Sequence, residues 1–186
     1  MRLEEPTEEL LYLLSGPGTI ERAQTTFIDI APKEREGLWR IHFGIAHRRS
    51  YLRGEYSQGK ISESHPLSFL YDEKRARISF HSGPSEAEAF LTDLNRALDE
   101  LFEGWIDPAE LMNTYFTDPT HLPPGTSGEL IRGPKIAIET AVPVLERHGM
   151  RFRVFEYDFR QPSIWVMTLD RMYVVVEGFA VERLYA

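Results

Sequence analysis

The spacing of apolar residues changes twice along this chain, and that restricts the fold more than any other feature. In several runs between Thr25 and His81, apolar and polar side chains alternate. From Ala87 to Trp105 the apolar positions recur every third or fourth residue, and from Phe152 to Glu177 the strand-like runs return. A period of two belongs to strands and one of 3.6 to helices. Strands, then helices, then strands is an α+β arrangement: a single domain with a largely antiparallel sheet and helices packed on one face.

The clearest strand is Leu38 to Ala46, with Trp39, Ile41, Phe43 and Ile45 on one side and Leu38, Arg40, His42 and Gly44 on the other. Thr25–Ile30 reads as a further strand. Leu67–Tyr71 and Arg75–His81 read as a hairpin around Asp72-Glu73-Lys74, with Ala76, Ile78 and Phe80 inward. Thr7 is placed to cap a short helix to Leu14. Ser82-Gly83-Pro84 is expected to open the main helix, which carries Ala87, Leu91, Leu94, Leu98, Leu101, Phe102 and Trp105 along one stripe. A second helix is expected from Gly133-Pro134 to His148-Gly149, kinked or shortened by Pro143. Between them, residues 117–133 have linker composition and are expected to form a Pro/Gly-rich surface loop inside the domain. The chain then returns to strands at Phe152–Phe159, Ile164–Leu169 and Met172–Glu177, the last two joined at Asp170-Arg171.

Charge is distributed unevenly. The 186 residues carry a formal net charge of −8, yet Arg40 to Lys60 holds five Lys/Arg against Glu55 alone. Pro84 to Glu110 is the opposite, with eight acids and one base, Arg96. A cationic island on an anionic body faces something negative: a ligand, a partner, or the acidic face of the same or a second molecule. Arg40, His42, Arg48, Arg49 and Arg53 are therefore the candidate anion- or partner-binding residues, because guanidinium forks suit phosphate and carboxylate. Asp99, Glu100 and Glu103 are the candidate acidic interaction face.

Other chemistry finds less support. The six histidines are scattered without the i, i+4 spacing or the clustered carboxylates of a metal site. His42 and His81, on polar strand faces, are the best of them for proton transfer. Glu156 and Asp158 share a strand face but lack a third ligand nearby in sequence. GELIRGPK at 128–135 misses the phosphate-loop spacing, and neither G-x-S-x-G nor G-x-G-x-x-G occurs. With no cysteine, disulfides and thiolate chemistry are excluded, and a reducing cytoplasm is the expected setting. The acidic N-terminal stretch does not resemble a secretory signal, and no apolar run is long enough to span a bilayer.

The expectation is a soluble, cytoplasmic, non-catalytic binding protein of accessory or regulatory type. It would use no cofactor and no metal, and would act by charge complementarity on a protein partner or as a homodimer. The alternative is an enzyme that holds a phosphorylated or carboxylated small molecule on the Arg40–Arg53 patch, with residues 117–133 as a lid. The acidic balance argues against nucleic acid as the partner, including a single strand lying across Tyr51 and Tyr56.

Overall fold

The computed structural model describes residues 5–71, 74–159 and 163–185. In chain order the elements are α1 (Glu8–Leu14), β1 (Gly18–Gln24), β2 (Phe27–Pro32), β3 (Leu38–Phe43), β4 (Ala46–Arg49), β5 (Gly54–Tyr56), β6 (Gly59–Ser62), β7 (Lys74–Ser82), α2 (Ala87–Phe102), β8 (Gly128–Pro134), α3 (Lys135–Arg147), β9 (Arg151–Asp158), β10 (Trp165–Leu169), β11 (Met172–Val176) and β12 (Phe179–Tyr185). Short 3₁₀ turns cover Pro66–Tyr71, Pro108–Glu110, Thr114–Thr117 and Pro119–His121. The fold is α+β, and every strand pairing is antiparallel among the described residues. No helix is long and apolar enough to cross a membrane among the described residues.

Residues 1–68 and 162–186 form one compact unit, and residues 69–161 a second. In the first, a five-stranded sheet β12-β3-β2-β1-β5 and a four-stranded sheet β4-β11-β10-β6 share one core with α1. The alternation of β3 is used as the sequence implies: Trp39, Ile41 and Phe43 are buried with Ile28 and Ile30 of β2, Val174 and Val176 of β11, and Leu10, Leu13 and Leu14 of α1. Thr7 caps α1, its hydroxyl accepting from Leu10 N at 3.2 Å. Ile45, read on the same side of a strand running to Ala46, is exposed instead, because β3 ends at Phe43 and the chain crosses to the other sheet.

The second unit is the sheet β8-β7-β9 with α3 packed on it and α2 packed on α3. Ala76, Ile78 and Phe80 of β7, Phe90, Leu94, Leu98 and Phe102 of α2, and Ala137, Ile138, Ala141 and Leu145 of α3 are fully buried. Four expectations are corrected here. Leu67–Tyr71 is a 3₁₀ turn rather than a strand, because Pro66 follows His65, whose carbonyl accepts from Ser68 N and whose Nδ1 accepts from Leu67 N. The proposed turn residues Asp72 and Glu73 lie outside the described residues. The main helix begins at Ala87, not at Pro84, since β7 runs to Ser82 and Gly83 is pinned against another segment; a Cβ there would lie 2.1 Å from Leu122 O and 2.6 Å from Pro123 O. Residues 128–133, read as loop, belong to β8, whose Leu130 and Ile131 are buried. Gly133 and Pro134 end that strand rather than open the helix, which starts at Lys135 and continues through Pro143.

Candidate functional site

The candidate site grows from an irregularity in β1. Its register against β2 slips between Ile20 and Arg22, leaving Glu21 as a bulge. Its other neighbour, β5, pairs only over Gly18, Thr19 and Ile20. Beyond Ile20 the neighbouring strand turns away at Gly54, whose φ of +90° favours glycine. Bulges re-aim side chains and end pairing, and here both happen at once. The gap is a cleft of about 390 Å³ lined by residues 20–23 of β1 and residues 49–53 opposite. That volume lies in the range of small-molecule sites.

The far wall is fixed from beneath. Arg49 pairs with Val174 of β11 in the ladder. Ser50 N donates to Tyr173 O at 2.9 Å, and Tyr173 N donates to Ser50 Oγ at 2.7 Å. Leu52 is buried in the core. Arg22, Arg49 and Arg53 thus converge on one cleft, and none of them forms an ion pair among the described residues. Arg22 lies 5.5 Å from the ring centroid of Phe27. Arg53 donates to the Tyr51 hydroxyl at 3.3 Å, which raises its pKa further, and Tyr51 stands at the rim, 76% exposed. Glu21 also lines the cleft and leaves it net cationic.

Arg40, His42, His47 and Arg48 are committed elsewhere. Arg40 forks onto Asp29, Nε to Oδ1 at 2.7 Å and Nη2 to Oδ2 at 3.0 Å, and lies over the Phe27 ring at 4.1 Å. Those bonds raise its pKa. His42 Nε2 donates to Glu182 Oε1 at 3.0 Å and His47 Nε2 to Glu177 Oε1 at 2.9 Å. Arg48 Nε donates to the Tyr173 hydroxyl at 2.9 Å. Tyr56 is buried with its hydroxyl unpartnered among the described residues, and burial pushes its pKa up to about 12. The cleft therefore keeps Arg49 and Arg53, lacks Arg40, His42 and Arg48 among its lining residues, and gains Arg22.

The second unit carries the acidic face, with Asp99, Glu100 and Glu103 exposed on α2 and just beyond it. The pair Glu156 and Asp158 is exposed on β9, with Glu156 held by Lys135 at 2.9 Å. Lys135 is thereby raised above its ordinary pKa. Arg132 is taken by Glu129, so the start of α3 presents paired rather than open cations. Among the described residues no cluster of three or more His, Asp or Glu is placed to hold a metal ion.

Arg22 was invisible in the sequence because Glu21-Arg22 is locally neutral. The available signal was two adjacent polar residues interrupting a strand after Ile20, which is how a bulge reads. Comparison with protein-family models, characterised proteins and solved structures finds nothing that matches this chain.

Proposed function

We propose that this protein is a non-catalytic binding protein whose cationic cleft holds the phosphate or carboxylate of a small molecule. The observation that carries the reading is that Arg22, Arg49 and Arg53 line one cleft, outnumber its single carboxylate, Glu21, and form no ion pair among the described residues. Planar guanidinium groups recognise such anions bidentately, and the exposed Tyr51 ring offers an apolar surface at the rim. Binding is favoured over turnover by what the lining residues do: Ser50 Oγ is occupied by the Tyr173 backbone, and the described lining holds no histidine to activate it.

The test is thermal unfolding with inorganic phosphate, pyrophosphate and citrate as probes, on the wild type and on Arg49→Ala/Arg53→Ala. A ligand binding only the native state at ten times its Kd adds about 1.4 kcal/mol, or a few degrees. The expected result is a rise with at least one probe that the double variant loses. No rise with any probe, or an equal rise in the variant, rejects the reading. Phosphate release from pyrophosphate would replace it with the enzyme alternative.

A further inference from the structure

We infer that β9 is a self-association edge, pairing antiparallel with β9 of a second copy in a register centred on Phe155. In the sheet order β8-β7-β9, β9 has β7 on one side only. Its other edge is unpaired over eight residues, and no backbone group of 151–159 bonds outside the β7 ladder among the described residues. Long unpaired edges recruit other strands unless they are blunted. This one contains no Pro or Gly, its four charged residues, Arg151, Arg153, Glu156 and Asp158, are of both signs, and it is rich in apolar surface: Val154, Phe155, Tyr157 and Phe159 are between 38% and 45% exposed.

The side chains decide the occupant. In an antiparallel pair related by a twofold axis, opposed residues share a face, so their numbers sum to an even value. Centring on Arg153 or Glu156 sets like charges opposite each other. Centring on Val154 leaves Asp158 and Phe159 opposite Met150 and Gly149, beyond the strand. Centring on Phe155 pairs all of 151–159: Arg151 with Phe159′, Arg153 with Tyr157′ and Phe155 with Phe155′ on one face, Phe152 with Asp158′ and Val154 with Glu156′ on the other.

No like charges stand directly opposite, and both arginines meet a partner aromatic ring, an arrangement that adds cation–π attraction. The same face already uses that contact internally, with Arg77 over Phe155 at 5.2 Å and Arg75 over Phe159 at 5.4 Å. Arg153 has no internal ion pair among the described residues. The weak point is Glu156 lying diagonal to Glu156′, and Lys135 at 2.9 Å on each copy offsets it. The product is a continuous six-stranded sheet across the axis.

The chain has no cysteine, so a single introduced thiol reports on its own position alone. Sedimentation from about 1 µM to about 1 mM should show mass rising toward that of a dimer at both low and high salt. Phe155→Cys should cross-link to itself on mild oxidation or with a short bis-maleimide, whereas Tyr51→Cys, equally cysteine-isolated and exposed, should not. Phe155→Lys, folded by circular dichroism, should stay monomeric. A wild-type monomer throughout, a dimer that dissolves in salt, or a dimer kept by Phe155→Lys without a Phe155→Cys cross-link overturns the inference.

Discussion

Replacing Arg40 with methionine removes the cation beneath a buried carboxylate. Asp29 has a 5% exposed side chain and accepts two bonds from Arg40, at 2.7 and 3.0 Å. Truncating one partner of a buried pair costs about 3–5 kcal/mol, because the remaining charge is stranded. Lost stacking on Phe27 adds about 0.5–1 kcal/mol. Asp29→Asn should be milder, about 1–2 kcal/mol: the amide still accepts one bond, and Arg40, 23% exposed and 4.0 Å from Glu182, keeps water and a carboxylate within reach. Asp29→Leu/Arg40→Met should return to within about 1 kcal/mol of wild type, since an apolar pair needs no counter-charge. Urea unfolding with unchanged m-values measures all three. Asp29→Asn costing as much as Arg40→Met, or Arg40→Met costing under about 1 kcal/mol, would refute the argument that burial makes this pair asymmetric. The folded Arg40→Met protein should also keep its response to phosphate or pyrophosphate, as Arg40 does not line the cleft.

Tyr56→Phe should stabilise the protein by about 1 kcal/mol, because the residue is only 2% exposed and its hydroxyl is buried without a partner among the described residues. Its pKa of about 12 against 10.0 means the unfolded chain ionises first, so wild-type stability should fall as pH rises from the lower value to the higher. Two units correspond to at most about 2.7 kcal/mol, and Tyr56→Phe should remove that part of the alkaline decline in urea titrations. Gly83→Ala should cost at least about 2–3 kcal/mol, read from its thermal or urea midpoint, because the added methyl meets Leu122 O and Pro123 O, which are backbone and cannot rotate aside.

Patterned segments were legible and pairings were not. The Trp39/Ile41/Phe43 alternation and the Leu91/Leu94/Leu98 stripe announce a buried strand and a buried helix face, since both depend on neighbours in sequence. The charge excess at Arg40–Lys60 was also plain, but which arginines stay open was not. His42 meets Glu182 across 140 residues and Arg40 meets Asp29 on the adjacent strand. Such partners are set by sheet order, which composition does not encode. β8 was hidden by its Gly and Pro content, although Gly128 serves close packing on the Phe116 ring. The cleft itself depends on one bulge, a backbone event with little side-chain signature.

The first unit is assembled from two stretches separated by the whole of the second, and this sets the order in which its strands can pair during synthesis. β4 and β6 have no sheet neighbour until β10 and β11 arrive, and β3 waits for β12. From Ser62 to Trp165 is 103 residues, about 5–20 s of synthesis at ~5–20 residues per second. The second unit, continuous from 69 to 161, has every strand and helix it needs during that interval. The wall carrying Arg49 is clamped by Tyr173 and Val174, so a chain released early can hold a finished second unit but no finished cleft. Formation of the cleft wall is thus tied to the arrival of β11, more than a hundred residues after the strand it clamps.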